Sequence, residues 1–390
     1  MASAPVEPTF RPWINLFADH IPDAVVRLRF LQAVAPPDLA PTPVPRRWRR
    51  ALQLLLPAFL AVPLVSFVLL RATPHTHRTS VREAAIHPPA PSPLPPAAEA
   101  LPAVWQVEHS RDSDSYSNGL RIDNRFSVSN HPRSYMTFPV DPAGATGRGS
   151  QPVGIVFHTT ESRQAPFEEQ QNRVLKRIGE SLLEYVRHQR AYNFVIDRFG
   201  RVYRIVVESD AANHAGHSIW SDERWLYVNL NESFLAVSVE AETQPGQLEP
   251  EMSPAQLRSA AMLTEMLRSR YGISAANCVT HAQVSVNPSN MRIGYHTDWA
   301  SSFPFRGVGL PDNYARPLPS LVLFGFEADR SFDHVAGARM AAAVDLSEQQ
   351  QREQAAAAGL SLRAYRKTLR NRYWRLAAAL RSDAAAGNSD

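Results

Sequence analysis

The chain has 390 residues, of which 44% are hydrophobic and 20% charged, enough for one large or two small domains with tails and a real core. A net charge of +4 and a pI near 9.3 are a mild basic bias, too weak to argue for nucleic acid. The single cysteine, Cys278, excludes an intramolecular disulfide and a cysteine-rich zinc site, so a metal would have to be held by His and carboxylate.

Residues 1–50 are rich in Pro and Ala and read as a disordered tail, with a short helix near 14–33. The run ALQLLLPAFLAVPLVSFVLL carries no charge over its 20 residues. At about 1.5 Å per residue it spans about 30 Å, the thickness of a bilayer's hydrocarbon core. Pro57 and Pro63 are tolerated in such spans, so 51–71 is expected to be one transmembrane helix. Arg46, Arg47, Arg49 and Arg50 precede it directly, while Arg71, Arg78 and Arg82 follow more sparsely. The positive-inside rule then predicts a single-pass protein with a cytoplasmic N-terminus and everything after the span on the outer side; in a bacterium with two membranes this means an inner-membrane anchor with the rest in the periplasm. Residues 72–104 form a Pro/Ala-rich, semi-extended linker.

Ordered sequence resumes at Trp105, and residues 118–128 predict a turn and a short strand. VGIVFH is a buried-strand pattern ending at His158. Residues 166–189 have helical spacing, with Val174, Ile178, Leu182 and Val186 on one stripe and Pro166 near the start. YNFVID and RVYRIVV flank Arg198, Phe199 and Gly200, the signature of a hairpin. SFLAVSVEAE is another strand. Ser253 and Pro254 begin a helix that runs to Tyr271, where Gly272 stops it. NCVTH is a final strand. This alternation predicts an α/β fold over 105–330, a mixed central β-sheet flanked by helices. Residues 331–390 read as a small α-helical extension, with Gly359 dividing two stretches.

Three segments place metal-competent groups at or after strand ends. His158 follows GIVF, His281 follows CVT, and His296-Thr297-Asp298 lies in an irregular stretch beyond. A catalytic zinc takes three N or O ligands and keeps one position open, and His158, His281 and Asp298 could supply such a set. A lone histidine at a strand end is more often a hydrogen-bonded surface group, so composition and spacing alone leave the metal unproven.

Five ordered blocks between about 152 and 305 carry a resemblance: GIVFHTT, YNFVIDRFGRVYR, NHAGHS, LAVSVE and THAQVSVNPSNMRIGYHTDW. Together they resemble the type-2 N-acetylmuramoyl-L-alanine amidase family, shared by phage lysozyme-type amidases and peptidoglycan recognition proteins. The resemblance implies hydrolysis of the amide between N-acetylmuramic acid and L-alanine, with Zn2+ on His158, His281 and Asp298. It implies Glu240 as general base, Tyr192 as the group that orients water or stabilises the oxyanion, and His214 and His217 as candidates to line the substrate groove. The chain departs from the family in a longer stretch from His281 to Asp298. It also has His296 where catalytic members often have Lys, His158-Thr159 in place of a His-His or His-Asn start, and Asn193 after Tyr192. His296 is thus an alternative oxyanion donor. Peptidoglycan or a muropeptide is the expected substrate, and a non-hydrolytic muropeptide-binding module of the same fold is the alternative.

Ala355, Gly359 and Tyr365 are spaced like the turn of a helix-turn-helix, and Arg363, Arg366, Lys367, Arg370 and Arg372 make the segment basic. With this segment in the periplasm, no nucleic acid is expected. The favoured reading is a helical hairpin that packs on the amidase domain or touches anionic wall or membrane, and these helices are a candidate contact for a protein partner.

Overall fold

The computed structural model describes residues 101–141, 143–243, 252–328 and 330–387. The tail 1–50, the span 51–71 and nearly all of the linker 72–104 lie outside these residues. Among the described residues no helix is long and apolar enough to cross a membrane.

A hairpin extension opens the fold: β1 (Gln106–His109), β2 (Ser113–Tyr116) and β3 (Arg121–Asp123). Then come β4 (Tyr135–Pro139), β5 (Gly147–Gly149), β6 (Gly154–Thr159) and α1 (Asn172–Gln189). β7 (Phe194–Ile196) and β8 (Val202–Arg204) form the predicted hairpin, followed by β9 (Ile219–Ser221), β10 (Trp225–Val228) and β11 (Phe234–Val239). α2 (Pro254–Tyr271) leads to β12 (Cys278–Thr280) and a small hairpin of β13 (Val286–Asn287) and β14 (Arg292–Ile293). The main sheet has eight strands in the order β1-β2-β3-β8-β7-β11-β6-β12, and a second sheet runs β5-β4-β10-β9.

The centre of the main sheet is parallel: β11 pairs with β6 and β7, and β12 pairs with β6. All six residues of β6 and all six of β11 are buried. Both faces are covered, which is why these strands are nearly continuous apolar runs and do not alternate. Gly154 lets three chains close up there, because a Cβ on it would lie 2.0 Å from the Phe234 ring and 2.6 Å from the Asn277 carbonyl. On one face Ile155, Phe157, Leu235 and Val237 pack with Ala260, Leu263, Met266 and Leu267 of α2. That helix has the predicted bounds. Ser253 and Gln256 form a reciprocal capping box, and Gly272 closes the end at φ 64°.

α1 covers the other face through Leu182, Leu183 and Val186, against Val195, Tyr203 and Ile205. It corrects the expectation for 166–189 twice. The helix begins at Asn172, after a 3-10 turn over Glu169–Gln171, and not near Pro166. Its buried stripe is Leu175, Gly179, Leu182, Leu183 and Val186, while Val174 is exposed.

Beyond β14 lie α3 (Pro319–Phe324), α4 (Arg330–Ala357, broken at Gly337 with φ 73°) and α5 (Leu362–Gly387). The last two form the expected hairpin, with Tyr365 donating to Gln354 Oε1 at 3.0 Å. Much of the basic character of α5 is directed at the rest of the domain. Arg366 donates to Gln351, Arg370 to the Gly325 carbonyl and the Glu327 carboxylate, and Arg372 to the Val140 carbonyl.

Candidate metal centre

The parallel pairing of the central strands assembles the site. Side chains alternate along β6, so His158 points away from Phe157 and the α2 face. Thr280 of β12 pairs with Phe157, which brings the next residue, His281, level with His158. His281 opens a single helical turn, His281–Val284, whose start is fixed by a capping box between Thr280 and Gln283. The His158 and His281 ring centroids are 4.5 Å apart. Asp298 arrives from the segment after β14, and its carbonyl accepts from the Ala282 N–H at 3.3 Å.

The three side chains are buried together, and one ligand atom from each lies within 4.8 Å of the others. Asp298 Oδ2 is 3.2 Å from His158 Nδ1, and Oδ1 is 3.0 Å from His281 Nδ1. With zinc–ligand bonds of about 2.1 Å, neighbouring ligands of a tetrahedral ion are about 3.4 Å apart, so the cluster has the right scale. Burial, then His281, push His158 down to about 4, so its imidazole is neutral near pH 7. Burial alone would raise Asp298, but the adjacent His281 and the hydrogen bonds from both imidazoles hold it well below the usual carboxylate range. Neutral imidazole and ionised carboxylate are the protonation states a metal requires. His281 Nε2 is buried with no hydrogen-bond partner among the described residues, a further mark of a donor set built for more than internal pairing.

His214 belongs to this centre as a supporting group. Its Nδ1 lies 3.1 Å from His158 Nε2, the position from which a second imidazole fixes the ring of a ligand. Asn231 Oδ1 holds its backbone by accepting from the N–H groups of His214 and Ala215. His217 is exposed, and its carbonyl accepts from Val286 N beside the small hairpin. Tyr192 sits in the left-handed region at φ 62°, with its ring 5.1 Å from that of His158. Burial, then the charge of Asp298, raise its hydroxyl, so it remains a proton donor over the whole physiological range. His296 stacks on His281 at 4.3 Å and 21°, and the exposed Tyr295 meets it edge-on. The stretch between His281 and Asp298 contains the β13–β14 hairpin.

Glu240 is buried on the same sheet face as His158, two residues past Ser238, which pairs with His158. Its Oε2 accepts the Arg198 N–H at 3.0 Å, and Oε1 has no partner among the described residues. Burial pushes its carboxyl up to about 6. No hydrogen bond joins it to the three ligand residues among the described contacts, and it sits about 7 Å further along the sheet. Gly179 of α1 lies above it, where a Cβ would sit 3.6 Å from Oε2, an ordinary contact distance.

Two residues near the site have no signal in the sequence. Glu161, at φ 52°, accepts from the Thr159 hydroxyl and the Thr243 N–H, and its charge reaches Tyr192. Arg133 is buried and donates to the carbonyls of Glu208, Asp210, Asn231, Glu232 and Phe234, tying the segment before His214 to the start of β11.

A mixed α/β domain with a buried His-His-Asp cluster of metal-site geometry is the class that fold and site define. Residues 148–298 match the family model described as N-acetylmuramoyl-L-alanine amidase. The match ends on Asp298. No curated protein matches the sequence. Among solved structures, the chain is similar to the N-acetylmuramyl-L-alanine amidase AmiD from E. coli, in complex with the substrate anhydro-N-acetylmuramic acid-L-Ala-D-gamma-Glu-L-Lys. Identity is 19%, covering 40% of this chain and 56% of that one, with a TM-score of 0.32. It is similar to AMPDH3 from Pseudomonas aeruginosa in complex with anhydromuramic pentapeptide at 18% identity, covering 40% and 58%, with a TM-score of 0.32. It is also similar to the N-acetylmuramoyl-L-alanine amidase LysC from Clostridium intestinale at 19% identity, covering 40% and 83%, with a TM-score of 0.25. The chain thus spans little more than half the length of the first two.

Proposed function

We propose that this chain is a zinc-dependent amidase that hydrolyses the bond between N-acetylmuramic acid and L-alanine in peptidoglycan or a muropeptide. The observation that carries this is the buried cluster of His158, His281 and Asp298 inside the region matched by the amidase family. When bound, zinc supplies Lewis acidity, polarising the scissile carbonyl and acidifying water. The chain's own residues supply the rest. Neutral His158 and ionised Asp298, together with His281, form the donor set, and His214 keeps the His158 ring in orientation. Glu240 takes a proton from the attacking water and delivers it to the departing alanine nitrogen. Its raised value, about 6, suits both halves of that exchange near neutral pH. The Tyr192 hydroxyl donates to the oxygen that gains charge as the carbonyl becomes tetrahedral, and His296 is the second donor on that side. His214 and His217 line the approach for substrate.

We place this activity in a domain over 105–330, carried on the linker 72–104 from a transmembrane anchor at 51–71, with 1–50 cytoplasmic and a helical extension at 331–390. The hydrophobic length of 51–71 and the arginines before it support an inner-membrane tether with the catalytic domain in the periplasm. Asp298→Ala tests the ligand set. It is expected to lose zinc and hydrolysis together, and stoichiometric zinc in the purified variant would refute the assignment.

A further inference from the structure

The matched family region stops on Asp298, yet the strongest constraints on the segment carrying that residue come from beyond it. Trp299, the next residue, is at φ 55°, a left-handed conformation that a bulky side chain adopts only when its surroundings impose it. Its ring is buried. Its carbonyl accepts the Tyr314 hydroxyl at 2.5 Å, and the same hydroxyl accepts the Phe303 N–H at 3.2 Å. Arg339 of α4 lies 4.6 Å over the Tyr314 ring. It donates to the Ser301 carbonyl at 3.2 Å and to Asp312 Oδ2 at 2.5 Å. Ser301 is buried as well. Its hydroxyl donates to the Ala336 carbonyl and accepts the Met340 N–H at 3.1 Å.

The other end of the segment is gripped by the same helix. Gly294, at φ 79°, lies so close to Phe332 that a Cβ would come within 2.3 Å of the ring. Main-chain bonds join Ile293 N to the Glu327 carbonyl and Glu327 N to the Met291 carbonyl, and Glu327 in turn receives Arg370 of α5. The helical extension therefore holds residues 294–301 at both ends, with His296 and Asp298 between.

We infer that the C-terminal extension is a brace for the third metal ligand, with Ser301, Tyr314 and Arg339 as positioning residues that fix Asp298 through the strained Trp299. This rests on the zinc reading given above. Groups that orient a ligand tune metal affinity by roughly 10–100-fold when removed. Here the outer link is the extension and not a direct partner of the carboxylate.

The test is zinc affinity of the full-length protein, measured by competition with a chelator, alongside thermal unfolding. Tyr314→Phe, which keeps the ring and removes only the hydroxyl, and Arg339→Ala are expected to weaken zinc binding about 10-fold. Arg339→Lys should restore part of that loss. Leu120→Ala, a cavity next to β3, which stands four strands from β6 in the main sheet, should lower the Tm and leave zinc affinity unchanged. If Tyr314→Phe and Arg339→Ala bind zinc as tightly as the wild type, or if Leu120→Ala weakens it as much as they do, the brace is overturned while the metal centre stands. If Arg339→Ala does not fold, Ser301→Ala, which removes the hydroxyl's bonds to Ala336 and Met340 of the extension, decides in the same way. A wild-type protein that takes up no zinc overturns the metal reading, and the brace with it.

Discussion

Replacing Glu240 by Gln separates the chemistry of this carboxylate from its cost to the fold. In the folded protein burial lifts the carboxyl from its ordinary 4.5 to about 6. The folded state therefore binds the proton more tightly than the unfolded chain does. Its stability contribution is complete below pH 4.5 and is lost as the pH rises through 6. The difference amounts to about 2 kcal/mol at neutral pH. Gln is neutral at every pH and keeps an oxygen to accept the Arg198 N–H. The partnerless Oε1 is replaced by an amide group in the same place, so packing changes little. Glu240→Gln should match the wild type in stability near pH 4.5 and exceed it by up to about 2 kcal/mol above pH 6. For a domain of this size that is an upper bound of about 4–8 °C in Tm. Turnover should fall by about 100-fold or more with zinc retained. Thermal unfolding at several pH values, paired with rates and zinc content, reads all three. A variant with wild-type turnover removes Glu240 from the mechanism. A stability difference that does not change with pH refutes the assigned burial of the charge.

Tyr192→Phe should keep zinc and lower kcat by about 100-fold with KM nearly unchanged, because the lost donor acts where charge develops and not on ground-state binding. Steady-state kinetics distinguishes this from a packing defect, which would lower the Tm as well. His296→Ala should also reduce kcat, and His296→Lys, which places a donor cation at this position, should retain more activity than His296→Ala. Equal rates for the two variants at neutral pH would show that His296 serves only to stack on His281.

The parts of this molecule that local chemistry determines were readable from the sequence. Ser253, Gln256 and Gly272 bound α2 through hydrogen bonds within a few residues of each other. The turn at Arg198-Phe199-Gly200 places β7 and β8 in the same way. His158 and His281 were readable as residue types at strand ends and Asp298 in the irregular stretch beyond, but their convergence depends on the register of β12 against β6, which is a tertiary fact. The buried face of α1 was misread for a related reason. Val174 looks like core by periodicity and is exposed, while Gly179, which has no apolar side chain to mark it, is buried beside the Glu240 carboxylate. Strands β4, β5, β9 and β10 are too short for an alternation signal. In the extension, arginines read as a basic surface. Arg366 and Arg370 are instead engaged by Gln351, Glu327 and the Gly325 carbonyl, partners 15 to 45 residues away. Arg133 gives no sign in the sequence that it serves five backbone carbonyls.

The central claim is that this chain cuts the muramoyl–alanine amide with a metal held by His158, His281 and Asp298. Digestion of purified peptidoglycan by the full-length protein, with and without a chelator, followed by product masses, tests it most directly. Free stem peptides beginning with L-alanine and glycan freed of peptide are expected, abolished by the chelator and restored by added zinc. Bound but uncut peptidoglycan, or cleavage at any other bond, would contradict it.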